Sequence, residues 1–215
     1  MADDPSELAP RFGRWKLLHD EAVKFLESPF GVLLHELGHH ASANARDLVA
    51  GHIVIDRSGH YPRGAFVISD ELVPQRPSGK QKAFTLASGA MTELEFAGLT
   101  NPSRLVSDIG AFTALAPGTS LIPGDAALIG LWIQLFGREF AELTDEIAAN
   151  HRACTAVMRS ATYRLRGYDV IPTHILNSKS SRDRLAVHRE VVATEPIAAR
   201  MRALERYVRA QSINK

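Results

Sequence analysis

The stretch SPFGVLLHELGHHASANARD, Ser28 to Asp47, constrains this chain more than any other. Ser28 is a good N-cap, and Pro29 suits the first helical position, where its missing N–H costs nothing. The helix this predicts runs to about Ala45. Within it His35 and His39 are four residues apart, on one face, with Cβ atoms roughly 5–6 Å from each other. Leu33 and Leu37 lie almost opposite and face a core. Gly38 sits in the helix interior at a cost of about 1 kcal/mol relative to alanine. A glycine there is best understood if something approaches the helix closely.

Two imidazoles at this spacing can reach one Zn²⁺ at about 2.0–2.1 Å each. Glu36, beside the first of them, points to the side. It can reach a metal-activated water without being a ligand, take its proton as general base and pass that proton to a leaving amine. His40 points away from the pair and reads as a surface or supporting residue. A catalytic zinc site needs three protein ligands and one open position. The third must come from elsewhere: Glu93, Glu95, Asp108, His52, His60 and His151 are the candidates, and spacing does not choose among them. The extended form of the motif, with a histidine six residues after the second, is absent because position 45 is alanine.

The rest of the composition excludes several classes. With 25 basic and 24 acidic residues the net charge is +1, so no charge excess argues for nucleic acid or a membrane surface. Apolar residues make up 45% and charged residues 23%, the balance of a soluble globular protein. The one cysteine, Cys154, cannot form an internal disulfide and reads as a small core residue. The start, MADDPSELAP, has no apolar run of a secretory signal. The longest apolar stretch, Ala126 to Phe136, is too short to span a bilayer and suits a buried helix. A cytoplasmic chain without membrane insertion is expected.

Along the chain, a short amphipathic helix is predicted over 10–27, ahead of the histidine helix. His52 to Asp56 and Gly64 to Ser69 are β-like runs around a Gly- and Pro-containing segment, which reads as a hairpin or two neighbouring strands. Helices follow over Gly79 to Ala97, stopped by Gly98, and over Arg104 to Ala116. A buried helix starts near Asp125. Gly137 is expected to break it before a long amphipathic helix to about Arg166, capped by Gly167. The tail holds two charged amphipathic helices split at Pro196.

HELGHH, then HIVIDRSGHYPRGAFVIS, LASGAMTELEFAG and SDIGAF, resembles the peptidase domain of the FtsH-type ATP-dependent zinc metalloproteases. The resemblance covers roughly Phe30 to Ala116 and extends more weakly to about Leu176. It implies a mainly α (α+β) fold: a zincin-like helical metallopeptidase domain with a small β-hairpin or sheet after the HExxH helix. It implies Zn²⁺ held by His35, His39 and Asp108, with Glu36 as the catalytic base. Glu93 would support the histidines from behind, or serve as third ligand in place of Asp108. The domain is expected over 1–176, with 177–215 as a helical extension packed on it.

The chain departs from that family in lacking a P-loop GxxxxGK[ST] and a transmembrane segment, and in carrying Leu94 at the second position of the family's acidic pair. The expectation is therefore a zinc metallopeptidase without its own ATPase, acting on peptides or flexible protein segments. Folded substrates would require an unfolding partner or a homo-oligomer. The strand from Gly64 to Ser69 could take substrate as an added β-strand. The rival is a non-catalytic, zinc-stabilised regulatory protein on a peptidase scaffold, to which the retained Glu36 is mildly opposed. A weaker third reading is a hydrolase of non-peptide amides.

Overall fold

A computed structural model describes residues 24–44, 51–68, 78–97, 126–160, 164–173, 176 and 195–213. Asp108, the helix expected over 104–116, most of the helix expected over 10–27, and the first of the two tail helices lie outside the described residues. The elements are α1 (Pro29–Asn44), β1 (Gly51–Asp56), β2 (Arg63–Ile68), α2 (Gly79–Phe96), α3 (Ala126–Ala141), α4 (Thr144–Met158), β3 (Arg164–Leu165), β4 (Tyr168–Pro172) and α5 (Ile197–Ile213). The fold is mainly helical with one small antiparallel sheet, ordered β2-β1-β4-β3.

α1 starts as its sequence dictates. Ser28 Oγ accepts from the Phe30 and Gly31 amides at 3.2 and 3.3 Å, which satisfies two of the helix's orphan donors. The helix is buried on most sides because α2, α4 and the β1–β2 pair pack around it. Leu33, Leu34, Leu37 and Ala41 enter a core shared with Phe84, Met91, Leu94, Ile147 and Cys154. α2 opens on a reciprocal capping box, with Ser78 accepting from the Gln81 amide and the Gln81 side chain accepting from the Ser78 amide.

β1 is buried on both faces, which is why HIVID reads as a nearly continuous apolar run. Ile53 and Ile55 join Ile171 of β4 in the core under α1. Val54 and Val170 point the other way, onto Ala203, Leu204 and Tyr207 of α5. The C-terminal helix therefore covers the sheet face opposite α1. It is tied there by Glu195 Oε1 against His52 Nε2 at 3.1 Å, and by Arg206 Nη1, which donates to the Ile68 carbonyl at 3.3 Å. Among the described residues no helix is long and apolar enough to cross a membrane.

The expected hairpin after α1 is present, and it is half of a four-stranded sheet, because Tyr168–Pro172 pairs antiparallel with β1 from Asp56↔Tyr168 to His52↔Pro172. Two expectations about this region are corrected. The helix expected to reach Arg166 stops at Met158. Gly167 does adopt a left-handed φ of 84°, but together with Arg166 at 52° it makes the two-residue turn of the β3–β4 hairpin rather than a helix cap. β-branched Val170 and Ile171 gain more beside β1 than as another helical turn.

Finally, α3 runs through Gly137 without a break and is amphipathic rather than buried. Phe136 and Phe140 are buried, and the Phe136 ring lies 5.1 Å from Phe84 of α2; Leu131 and Leu135 are exposed. The chain turns at 142–143 instead, where Thr144 Oγ1 donates to the Ala141 carbonyl.

Candidate metal centre

The site forms along the seam between α1 and α2, and glycines set how close that seam is. A Cβ on Gly38 would stand 2.6 Å from the Ser88 carbonyl and closer still to Thr92 Oγ1. Ser88 and Thr92 turn their hydroxyls back onto their own helix, to the Phe84 and Ser88 carbonyls at 2.6 and 2.7 Å, so their polar groups are satisfied within the seam. The approach that an interior Gly38 called for is thus the backbone of α2. It carries Thr85, Gly89 and Glu93 to the histidine face of α1.

There His35 Nε2 and His39 Nε2 stand 3.0 Å apart. Two nitrogens bound tetrahedrally to one zinc at about 2.0–2.1 Å would be about 3.3–3.4 Å apart, a small ring rotation away. The outer nitrogens are both committed. His35 Nδ1 faces Glu93 Oε1 at 3.1 Å, and His39 Nδ1 donates to the Thr85 carbonyl at 2.5 Å. A ring nitrogen that donates outward leaves its partner nitrogen with a lone pair, so the neutral pair aims two lone pairs at one point. That donor arrangement fits a cation.

In the metal-free chain a proton serves as that cation. Burial pushes the His35 imidazole down, but the Glu93 carboxylate, by charge and hydrogen bond, and the Glu36 charge outweigh it and raise its pKa to about 9. Burial and then the His35 charge push His39 down to about 3, against the Thr85 carbonyl. His35 thus holds the proton and donates Nε2–H to His39. A metal entering this site must displace that proton.

Glu36 points sideways, toward β2. Its carboxylate accepts the Phe66 amide hydrogen, and a Cβ on Gly64 would come within 2.9 Å of its Oε1. Burial raises the Glu36 carboxyl to about 7, with the His35 charge and the Phe66 amide opposing. Among the described residues β2 is an edge strand, and the Glu36 carboxylate lies beside its backbone at Phe66.

The other ligand candidates lie elsewhere. His52 shares the register of Val54 on the α5 side of the sheet, paired with Glu195. His60 stacks edge-on to Tyr61 in the β1–β2 turn. His151 Nε2 donates to the Phe30 carbonyl at 2.9 Å and packs on Phe25. Glu95 is two residues beyond Glu93, about 200° around α2. His40, expected at the surface or in support, is buried against the Phe66 ring. Asp108 is outside the described residues. Among the described residues no group of three His, Cys, Asp or Glu side chains converges as for a metal.

Sequence reasoning missed Thr85, whose contribution is a backbone carbonyl with no side-chain signature, and Gly89. A glycine inside the predicted helix 79–97 was the available signal for the latter. No family model, no curated protein and no solved structure matches this chain.

Proposed function

We propose that this chain is a zinc-dependent metallopeptidase, a cytoplasmic relative of the FtsH-type peptidase domain with a zincin-like fold. These 215 residues contain no ATPase module. The observation that carries the reading is the pair of Nε2 atoms 3.0 Å apart with both outer nitrogens held by acceptors.

His35 and His39 would hold the zinc, with Asp108 as proposed third ligand and Glu93 orienting His35. Bound there, zinc supplies a Lewis acid that polarises the scissile carbonyl and makes water more acidic. Glu36 takes a proton from the attacking water as the water oxygen bonds to the carbonyl carbon. It returns that proton to the amide nitrogen as the C–N bond breaks, and the second proton of the water follows, so one water is consumed and a carboxylate and an ammonium result. A carboxyl raised to about 7 by burial is suited to both halves of that transfer near neutral pH.

β2 beside Glu36, an edge strand among the described residues, favours an extended peptide as substrate, because a peptide backbone can pair there as an added strand. Folded proteins would need unfolding first, by a partner or within a homo-oligomer.

The test is zinc per chain by elemental analysis, for wild type and Asp108→Ala, followed by cleavage of an unfolded protein with Glu36→Gln as control. About one zinc per chain and cleavage abolished by Glu36→Gln support the proposal. Zinc without cleavage in the wild type, and a biological role that survives Glu36→Gln, would instead favour a zinc-stabilised regulatory protein. Wild-type protein that takes up no zinc sinks both.

A further inference from the structure

We infer that Gly89 is a positioning residue for the metal: its missing side chain is the space in which the two imidazoles meet a cation. This rests on the metallopeptidase reading and extends it to a residue that ligates nothing. Gly89 lies in the middle of α2, where alanine would be the better helix former. A Cβ built on it would stand 2.6 Å from His35 Cε1, 2.6 Å from His39 Nε2, and closer still to His35 Nε2.

Those three nearest atoms all belong to the two candidate ligands. The contrast with Gly38, one helix across the same seam, isolates the meaning. Gly38 is hemmed in by the Ser88 backbone and Thr92, so it sets helix spacing. Gly89 is hemmed in by side-chain tips that can swing aside at the expense of their bonds to Glu93 and Thr85. An alanine at 89 is therefore tolerable to the metal-free fold and intolerable to a converged histidine pair. The backbone of α2 is the rear wall of the cradle, and the Thr85 carbonyl one turn earlier fixes the ring that lies against it.

The experiment compares full-length wild type, Gly89→Ala and Gly38→Ala. Each is stripped with chelator and melted, then titrated with Zn²⁺ against a chromophoric chelator and with Co²⁺ for its d–d spectrum. For Gly89→Ala the expected result is a metal-free protein that still folds cooperatively, its Tm lowered by no more than the roughly 4–12 °C that loss of the His35–Glu93 pairing carries. Its zinc affinity should fall by about 100-fold or more, the upper end of what losing an outer partner of a ligand costs. Its Co²⁺ spectrum should lose the tetrahedral signature. Gly38→Ala should lower the metal-free Tm instead.

A Gly89→Ala protein that binds zinc as tightly as wild type overturns the inference while leaving the metallopeptidase reading intact. Wild type that binds no zinc overturns that reading, and the inference with it. If Gly89→Ala fails to fold, the double variant with His35→Ala decides. Recovery of folding places the collision on the imidazole and supports the inference; continued failure makes Gly89 a packing residue and overturns it.

Discussion

The two rows of side chains along α1 use the same backbone for opposite purposes. The row of Leu33 and Leu37 is fully buried, dry and surrounded by other apolar residues. The row of His35, Glu36 and His39 holds three ionisable groups in a largely enclosed place, Glu36 buried and the two histidines half-buried. The first row lowers the free energy of the fold. The second raises it unless each charge finds a partner. What differs is the neighbour: hydrocarbon on one side, and on the other Glu93, the Thr85 carbonyl and the Phe66 amide.

The largest effect that sharpens this contrast should come from the leucine row. Leu37→Ala should destabilise the metal-free protein by about 2–5 kcal/mol, read from chemical denaturation. A loss well below 1 kcal/mol would mean the core under α1 is not packed as described.

The histidine row should show itself through pH. The folded pKa of His35 lies above its unfolded value of 6.5, at about 9. Its stabilisation is therefore fully present below 6.5 and is lost as pH rises through 9. The amount is on the order of 2–3 kcal/mol for the metal-free chain. His39, with its pKa depressed, contributes in the opposite sense and at lower pH, between about 3 and 6.5. Denaturation of metal-free wild type and Glu93→Gln from pH 6 to 10 checks the sign. The wild type should weaken across that range and Glu93→Gln should be nearly flat. A wild type that gains stability toward pH 9 would break the pairing.

A smaller effect is expected at Glu36. Its raised pKa means that stability is lost as pH rises from the unfolded value of 4.5 through about 7, and the loss is complete above that. Relative to wild type, Glu36→Gln should gain about 1–2 kcal/mol of stability in the metal-free protein between about pH 4 and pH 8.5. Equal stability of the two proteins at both pH values would show that the carboxylate is better solvated than its burial implies.

Much of α1 could be read from local chemistry. Its cap, its proline start, its two rows and its uncomfortable glycine all follow from spacing along one helix, and the structure has Pro29–Asn44 where about Pro29 to Ala45 was expected. The hairpin of β1 and β2 was legible for the same reason, since alternation and a turn are local signals. The segment after Met158 was not. Charged residues at helical spacing and a terminal glycine fit an extended helix as well as they fit a two-residue turn. Only the open edge of β1, more than a hundred residues earlier, makes the strand the better choice for Tyr168–Pro172.

The candidate site divides in the same way. His35, Glu36 and His39 are identified by sequence because their relation is helical geometry, which short-range hydrogen bonding sets wherever the helix forms. Glu93 behind His35 is named by the family resemblance rather than by spacing; which carbonyl holds His39, and which glycine leaves room between the rings, depends on the close seam between α1 and α2. That seam is set by packing around Gly38. Packing is a property of surfaces brought together from distant parts of the chain, so no spacing rule along the sequence could have supplied it.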